Sequence, residues 1–351
     1  MQKETTIYDI AKQLQLSPAT VSRALNDHPA INPNTKAIIT SKAVEMGYRS
    51  NMFASNLRRQ RTNTIGVIVP RLDSAFMSTV LSGMEKVANE SNYNLIISQS
   101  LESVKKEVTN AKTMFDSRVD GLLVSLASDT ENLDHFNTFF RKGIPLILFD
   151  RVIPQKYCTN IVIDNLKAGY EATNHLIEQG CKRIMHVSGS LQRNVYADRL
   201  KGYRQALLEH GLPTGDELER STNLTRQDGL AVAEYIKSMV NPPDGLFIAS
   251  DFCAVTCISA LKQGGFSIPN DIAVVGFNDD PVSLVIDPGL TTIHYPGQEM
   301  GEIAAQSLIN HLNGLLRLNN TNMILLNYEL VVRGSSQRKD IPTIVSVTGG
   351  S

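Results

Sequence analysis

A run of small and hydroxyl side chains that contains one arginine, SPATVSRALN, extends from Ser17 to Asn26. Hydroxyl groups can donate to phosphate oxygens, and Arg23 can donate two hydrogen bonds to a guanine edge in the major groove. The small side chains would let a helix lie close to a duplex. The run is therefore consistent with a DNA-reading surface, although three-helix units of this kind also serve as structural modules.

A second group of polar residues follows the ends of predicted strands in the larger part of the chain. The residues that follow the predicted strands are Arg71–Leu72–Asp73, Asp150–Arg151, Ser188–Gly189, Ser250–Asp251 and Asn278–Asp279. Carboxylates, amides and arginines at such positions bind paired hydroxyl groups of a sugar, and Phe76 or Phe277 would supply an aromatic surface for its ring. The alternative is that strand-end Asp and Asn residues cap the following helices, which Asp251 could do by itself.

Neither catalytic nor metal chemistry is indicated. The seven histidines are scattered, and none lies in a nucleophile, zinc or phosphate-loop motif. Cys253 and Cys257 are one helical turn apart, but no His or Cys cluster accompanies them, so we expect packing rather than a metal site. We therefore expect no enzymatic activity, no cofactor and no metal.

The elements that position the N-terminal run are three short helices. Ile7, Ile10, Ala11 and Leu14 have helical spacing, and Ser17 with Pro18 marks the start of a second helix. A third helix is predicted from Asn32 as N-cap and Pro33 at its first position to Gly47 as its stop, and its apolar residues close a small core: Ile38, Ile39, Ala43 and Val44. Two short helices joined by a tight turn form a helix-turn-helix.

From Thr64 onward, short apolar runs alternate with amphipathic segments of helix length, which indicates parallel sheets with helices on both faces. The predicted strands are 64–70, 93–98, 121–125, 145–150, 160–164, 183–189, 245–250, 272–277 and 290–295. VDGLLVSLASD (119–129) weakly resembles PDGLFIASDFC (243–253), which suggests two similar lobes with a ligand in the cleft between them.

The distribution of charge favours a polyanion-binding head. Residues 1–61 hold nine Lys or Arg against four Asp or Glu, a net charge of +5, whereas the 351-residue chain has a net charge of −1. No apolar stretch approaches the roughly 20 residues that span a bilayer, and the start MQKETTIYDIAKQ has no apolar signal-peptide core. With only four scattered cysteines, the composition suits the cytoplasm.

The chain resembles the LacI/GalR (lactose/galactose repressor) family of transcription regulators. The resemblance begins with TIYDIAKQLQLSPATVSRALN, continues through INPNTKAIITSKAVEMGYRSNMFASNLRRQRTNTIGVIVP, and extends to about Arg338. Its most specific runs are T-V-S-R-x-x-N and G-Y-x-x-N-x-x-A-x-x-L. Gln15 departs from the Gly that the family often has in the turn, which would cost about 1 kcal/mol if that residue needs a positive φ.

The resemblance implies that Pro18, Ala19 and Arg23 contact bases in the major groove. Pro18 and Ala19 carry no side-chain donor, so their contacts would be apolar, for example to thymine methyls, and Arg23 would carry much of the specificity. Other residues of the head would hold phosphates or fix the helices: Tyr8, Ser17, Thr20, Ser22, Asn26 and Tyr48.

Residues 51–59 resemble the family's hinge helix. Nine residues form no stable isolated helix in water, so this segment would fold only when something packs on it. In the family, two hinges pair in the minor groove and a Leu from each wedges into the central base step. Leu57 occupies that position, Ala54 would face the partner, and Asn51, Ser55 and Arg58 would lie near the backbone. The alternative is a polar linker whose Leu57 packs on the core.

In the larger part of the chain, Arg199 in ADRLKGY matches the arginine that holds the effector in the family. Asp150 in LILFDR matches another cleft position, and Asp164 in VIDN is a candidate at the cleft edge. The complete set of expected effector-binding residues is Asp73, Phe76, Asp150, Arg151, Asp164, Arg199, Asp251, Phe277 and Asn278.

The expected fold is an all-α helix-turn-helix DNA-binding head on a two-lobed, periplasmic-binding-protein-like α/β body with parallel sheets. The expected boundaries are a head at 1–60, one lobe at 61–163 with 291–326, a second at 164–290 with 327–340, and a tail at 341–351. This tail has no leucine heptad that would indicate a coiled-coil tetramer.

The function that we expect is that of a homodimeric repressor on a palindromic operator in double-stranded DNA, without membrane association. A small effector, a sugar or sugar derivative, would control its operator affinity. The alternative is control mainly by a protein partner such as a phosphorylated carrier protein. A metabolite-binding protein with a vestigial head is a third hypothesis, against which the intact SPATVSRALN run argues.

Overall fold

The computed structural model describes residues 5–48, 61–155, 158–318 and 323–338. It divides into two compact units, Met1–Thr62 and Asn63–Ser351. The predicted hinge helix at 51–59 and the predicted tail at 341–351 lie outside the described residues. The same holds for five predicted DNA contacts: Asn51, Ala54, Ser55, Leu57 and Arg58.

The N-terminal unit contains three helices, α1 (Ile7–Leu14), α2 (Pro18–Leu25) and α3 (Pro33–Glu45). Each begins at a side-chain cap, because the first backbone N–H groups of a helix have no partner within it. Thr6 caps α1 in a reciprocal box with Asp9. The predicted caps Ser17 and Asn32 are confirmed, since their side chains accept from the backbone N–H groups of Thr20 and Asn34.

The core of this unit is smaller than predicted. Ile10, Val21 and Ile39 are fully buried at its centre, and Ala43 packs beside them. The prediction that Ile38 and Val44 also close this core is wrong, since their side chains are 58% and 76% exposed. Residues that directly adjoin a buried position in a helix are rotated by about 100° and face away from it.

The turn between α1 and α2 requires a left-handed residue. Gln15 has φ 53° and ψ 38°, and this conformation lets the backbone N–H of Leu16 donate to the carbonyl of Ala11 at 2.9 Å. A left-handed conformation brings Cβ close to the following carbonyl oxygen, which destabilises every residue except glycine. The expectation of a slightly strained turn is therefore confirmed.

We predict that Gln15→Gly stabilises the N-terminal unit by about 1 kcal/mol, because it removes this steric cost. The matched control is Gln13→Gly inside α1, where glycine should destabilise by about the same amount. Hydrogen exchange of the core amides in the full chain measures both. Equal signs for the two variants would contradict the prediction.

The first sheet of the body has the strand order β11-β5-β4-β3-β1-β2, and its described pairings are all parallel. Its strands are β1 (Thr64–Val69), β2 (Asn94–Gln99), β3 (Gly121–Val124), β4 (Leu146–Phe149), β5 (Thr159–Ile163) and β11 (Met323–Leu326). The helices of this first lobe are α4 (Ala75–Glu90), α5 (Val104–Asp116), α6 (Asn137–Lys142) and α12 (Gly297–Leu312).

The second sheet has the order β12-β10-β9-β8-β6-β7, with β12 antiparallel to β10 and the other pairings parallel. Its strands are β6 (Ile184–Ser188), β7 (Glu219–Ser221), β8 (Gly245–Ile248), β9 (Ala273–Asn278), β10 (Thr291–His294) and β12 (Glu329–Val331). The helices of this second lobe are α7 (Asn165–Glu178), α8 (Asn194–Glu209), α9 (Arg226–Ser238), α10 (Asp251–Gln263) and α11 (Val282–Val285).

The chain crosses between the lobes after β5, after β10 and between β11 and β12. The prediction that the chain returns to the first lobe at residue 291 is wrong at its start. Strand β10 pairs with β9 and so lies in the second sheet, and the return follows β10. The predicted list of strands also omitted β7, β11 and β12. Each has three or four residues at or next to a sheet edge, too few to produce a periodic pattern.

Two glycines let α7 and α8 pack closely. A Cβ at Gly202 would overlap the carbonyl oxygen of Leu166, and a Cβ at Gly169 would overlap the backbone of Arg199. Close approach of the two helix backbones therefore fixes the position from which the Arg199 side chain extends.

Asp251, predicted to bind a ligand or to cap α10, has a different place in the fold. Its carboxylate is fully buried inside the second lobe, where it accepts from the Thr292 hydroxyl and the backbone N–H of Asp280, both at 2.7 Å. A Cβ at Gly276 would overlap one of its oxygens. The cap of α10 is Ser250 instead. Asp251 thus ties α10 to the loop after β9 and to β10.

Burial raises the pKa of Asp251 from 3.8 to about 7. The folded protein then binds this proton more tightly than the unfolded chain, so the stabilisation is present at acidic pH and is lost as the pH rises from about 4 to about 7. We predict that Asp251→Asn, which mimics the protonated acid, flattens the fall in the body's melting temperature between about pH 4 and about pH 7.

Asp116→Asn, at the exposed last residue of α5, is the control and should keep the wild-type slope. Some slope should remain in Asp251→Asn, because burial also raises the pKa of Asp280, to about 6. Thermal unfolding across this pH range measures the effect. An unchanged slope in Asp251→Asn would show that Asp251 is ionised throughout.

Candidate functional site

The outer face of α2 carries the predicted base-reading residues. Ala19, Arg23 and Asn26 are exposed, and their spacing of four and three residues places them on one face of the helix. Pro18 is half-buried beside them, and Tyr8 on α1 is 69% exposed. The arrangement leaves the Arg23 guanidinium in solvent on a surface of small side chains.

Several predicted phosphate contacts already have bonds within the head. Ser17 Oγ lies 2.9 Å from Thr20 Oγ1 and accepts from its backbone N–H, and Asn26 Nδ2 donates to the carbonyl of Ser22 at 2.7 Å. Tyr48 is half-buried against the core of the unit. These residues therefore fix the shape of the head whether or not they also contact DNA.

In the body, Tyr295 organises a buried cluster where the two lobes meet. It lies in the segment between β10 and α12, and its ring stacks on Phe76 at a centroid distance of 4.3 Å. Its hydroxyl donates to Asp150 Oδ1 at 3.1 Å, and its ring meets the edge of Phe277 at 6.1 Å. One side chain thus joins three of the predicted effector-binding residues.

Arg199 lies in the same cluster and is 3% exposed. Its guanidinium carbon lies 3.4 Å from the centroid of the Phe277 ring, and Nε donates to Asn165 Oδ1 at 2.9 Å. Tyr196 and Tyr295 lie within 6 Å of the same carbon. Burial lowers the pKa of Arg199, while the two tyrosines and Asp150 raise it.

Asp150 follows β4 in a left-handed conformation with φ 57°, unusual for a residue with a side chain. Its carboxylate accepts from Ser125 Oγ at 3.2 Å as well as from Tyr295. Burial raises its pKa, and the charges of Arg151 and Arg199 oppose that rise. Such strain and desolvation together are typical of functional sites.

Direct contacts join the lobes next to this cluster. Asn194 Oδ1 accepts from the backbone N–H of Val152 at 2.9 Å, and its Nδ2 donates to the carbonyl of Asp150 at 3.2 Å. Arg151 Nη2 donates to the hydroxyl of Tyr196 at 3.3 Å, and Arg193 Nη2 donates to the carbonyl of Thr130. These bonds hold residues 130 and 150–152 of the first lobe against the start of α8.

The structure brings Phe76, Asp150, Arg151, Arg199 and Phe277 of the predicted effector set into this cluster and places the others elsewhere. Asp73 is exposed and paired with Arg71 at 2.6 Å, and Asp164 caps α7 by accepting from the Lys167 backbone at 2.9 Å. Asp251 is buried inside the second lobe, and Asn278 ends β9 with its side chain near Asp280.

Several residues of the cluster were missed from the sequence. Tyr295 ends a predicted strand and could have been found by the same strand-end argument, and Tyr196 precedes Arg199 by three residues on one helix face. Arg193 and Asn194 gave no such signal, since both lie at the start of α8 without a motif.

The described ranges lack both a membrane-spanning helix and a metal-binding cluster. No helix in them has both the length and the apolar character needed to cross a membrane. The same ranges contain no group of three or more His, Cys, Asp or Glu side chains placed to hold a metal ion. Cys253 and Cys257 are both buried.

Comparison with known proteins identifies both parts of the chain. Residues 6–51 match the family model of bacterial regulatory proteins of the lacI family, and residues 173–336 match that of the periplasmic binding protein-like domain. Catabolite control protein A of Priestia megaterium is 30% identical over 88% of this chain and 92% of its own. The HTH-type transcriptional regulator RegA of Clostridium saccharobutylicum is 32% identical over 95% and 99%.

Two solved structures are similar over almost the whole chain. A complex of the transcriptional regulator CelR with cellobiose is 25% identical, with a TM-score of 0.71 over 95% of this chain and all of that one. The lac repressor dimer bound to operator and the anti-inducer ONPF has the same fold at 22% identity, with a TM-score of 0.85 over 96% and 100%. The chain therefore belongs to the lacI family of bacterial regulatory proteins, which are DNA-binding transcriptional regulators with a helix-turn-helix head and a two-lobed α/β body.

Proposed function

We propose that this protein represses transcription as a homodimer on a palindromic operator, and that a sugar or sugar derivative bound between the lobes controls its operator affinity. The observation that carries the proposal is the buried Arg199, stacked on Phe277 near Asp150. A guanidinium and a carboxylate beside an aromatic ring match the paired hydroxyls and the apolar face of a sugar.

Arg199 and Asp150 have the right environment for this task. Within the described ranges, two side chains donate to the Asp150 carboxylate, and Arg199 forms one side-chain hydrogen bond, through Nε. The guanidinium Nη groups can therefore donate to a ligand, and the Asp150 oxygens can accept from one. In a desolvated site each such bond contributes more than it would in water.

Binding in the cleft would change how the lobes contact each other. The bonds of Asn194 to residues 150 and 152, and of Arg151 to Tyr196, hold the lobes together at the site itself. A ligand that inserts between these groups replaces some of the bonds and shifts the relative orientation of the lobes. A coupling of about 1–3 kcal/mol between this shift and the DNA-binding heads changes operator affinity by about 5- to 150-fold.

The proposed dimer needs an apolar contact face, and the second lobe has a candidate. Phe252 at the start of α10 is 50% exposed, and Leu284 and Val285 on α11 are 66% and 82% exposed. A second copy of the chain packed on this face by two-fold symmetry would present two heads to the two halves of a palindrome. The lac repressor of similar fold is a dimer on its operator.

A sugar effector suits the interlobe cluster, because buried Arg199 and Asp150 lie there beside the aromatic rings of Phe277 and Tyr295. The structurally similar CelR binds cellobiose. Purified protein distinguishes the two hypotheses. A change in operator affinity on adding a sugar alone supports the first, whereas a requirement for a phosphorylated carrier protein supports the second.

The experiment that tests DNA binding is selection of bound DNA from a random pool with purified protein, followed by sequencing. A palindrome with a pyrimidine–purine step at its centre is expected, because such steps open most easily for an apolar wedge such as the predicted Leu57. Absence of any enriched sequence at low salt would contradict the proposal.

We predict that Arg23→Ala weakens binding to the selected operator by about 5- to 150-fold and relaxes the base preference at one position of each half-site, because a bidentate contact to guanine is lost. Arg226→Ala, an exposed arginine on α9 of the body, is the control and should bind as the wild type does. Fluorescence anisotropy and a repeated selection measure the two effects. An unchanged sequence preference in Arg23→Ala would remove Arg23 from base recognition.

A further inference from the structure

We propose that the proton is a second regulator of this protein: it binds His294, where the chain crosses between the lobes, and so strengthens the contact of His294 with Asp279 and Glu329. We call these three residues the crossover clamp. The inference rests on the proposed function, because operator affinity is its readout. It adds an input that does not act through the effector site.

Two of the crossovers lie side by side in the second sheet. Strand β10 ends at His294, and the chain then enters the first lobe, whereas β12 begins at Glu329, just after the chain has left β11 of the first lobe. The two strands are antiparallel, and His294 lies directly opposite Glu329. Side chains at opposite positions of an antiparallel pair share one face, with their Cβ atoms about 4.5–5.5 Å apart. His294 and Glu329 therefore meet where both crossovers leave the sheet.

On its other side, His294 contacts an anchored carboxylate. Its Nδ1 lies 3.1 Å from Asp279 Oδ2, in the loop after β9. The second carboxylate oxygen, Oδ1, accepts from Arg333 Nη2 at 2.7 Å and from Ser283 Oγ at 3.2 Å. Burial raises the pKa of Asp279, but Arg333 and His294 outweigh this and hold it below its usual value. Asp279 is thus ionised at neutral pH and fixed within the second lobe.

The charges around His294 leave room for one more positive charge. Arg333, in the segment after β12, brings one cation, which Asp279 matches at 2.7 Å. A proton on His294 brings a second cation, which Glu329 on β12 can match. Further titratable groups lie behind Thr292 on the same face of β10, in a hydrogen-bonded set with it: Asp251 of α10 and Asp280.

Protonation changes the number of bonds that the ring can donate. A neutral imidazole has one N–H group, whereas an imidazolium has two. When Nδ1 donates to Asp279, Nε2 can donate to Glu329 only in the protonated ring, and the bonds are then charge-assisted. Histidine is also the side chain whose ordinary titration falls between pH 5 and 8. The His294 side chain is 48% exposed, so solvent screening keeps the effect modest.

The clamp acts on the lobes through the residue that follows it. Tyr295 comes directly after His294, and it carries the bond to Asp150 and the stack on Phe76 of the first lobe. Holding His294 between β9 and β12 restrains the path by which Tyr295 leaves the second lobe. Acid should therefore favour the present, directly bonded arrangement of the lobes. A repressor that its effector releases binds the operator without effector, so acid should tighten operator binding.

The test measures the Kd for the selected operator between pH 5.5 and pH 8.0 at constant ionic strength, by fluorescence anisotropy with the full chain. The variants are His294→Gln and Glu329→Gln, and the control is His210→Gln at the C-terminal end of α8. Titration of the head, Asp251 and Asp280 is common to all, so the difference between variants counts. We expect the Kd of the wild type and the control to rise about twofold to fivefold more with pH than that of the two clamp variants.

Parallel pH profiles for the wild type and His294→Gln would overturn the proposal. A purely structural His294 gives this result, because its loss changes the Kd by the same factor at every pH. A flat profile in His294→Gln combined with a wild-type profile in Glu329→Gln would also overturn it, since the proton would then act without the opposite strand.

A measurement without DNA separates this inference from the proposed function. The protonated clamp stabilises the folded chain at acidic pH and loses this effect as the pH rises, so the melting temperature of the wild type should exceed that of His294→Gln by more at pH 5.5 than at pH 8.0. If selection yields no operator, the proposed function fails and this comparison still tests the clamp. If a sugar alters operator affinity but both proteins share one pH profile, the effector-controlled repressor stands and the proton input is wrong.

Discussion

The arrangement of the body depends on burying the Arg199 guanidinium where the two lobes meet. A desolvated cation is tolerated only with close partners, and Arg199 has the Phe277 ring at 3.4 Å, Asn165 at 2.9 Å and the charge of Asp150 nearby. These partners come from different segments of the chain: α7, β9 and the loop after β4. Close helix packing at Gly169 and Gly202 fixes the base of the side chain. Next to this cluster the lobes are joined by polar contacts of Asn194 and Arg151, which a polar ligand can replace.

The head and the body have separate tasks in the proposed function. The head has its own small core around Ile10, Val21 and Ile39, so its recognition helix has a fixed surface independent of the cleft. The body buries one group of charged side chains, Asp150, Arg193 and Arg199, where the two lobes meet. Regulation then requires only that the lobe contacts have two arrangements of similar free energy, one of which the ligand favours. Polar bonds that are remade at little net cost suit such a switch better than an apolar core does.

The sequence predicted both domain types, most of the helices and strands, and the central pair Arg199 and Asp150. The prediction failed where the direction of a side chain determines whether it is buried or faces the cleft. The prediction correctly placed Asp251 just after a strand of the second sheet. Its side chain points into the lobe, however, because Gly276 leaves room for the carboxylate. Ile38 and Val44 are apolar and adjoin core positions, yet helix rotation exposes both. Arg193 was missed because its partners belong to the other lobe, and no local pattern encodes a contact across a cleft.

The central claim is that bonds between the lobes set operator affinity. Its most direct test is the operator Kd of Asn194→Ala, which breaks the bonds to Val152 and Asp150, against that of Asn174→Ala, which breaks only a bond to Glu178 within α7. With both variants folded, the account predicts a change of about fivefold or more for Asn194→Ala and none for Asn174→Ala. Equal Kd values for the two variants and the wild type would contradict it.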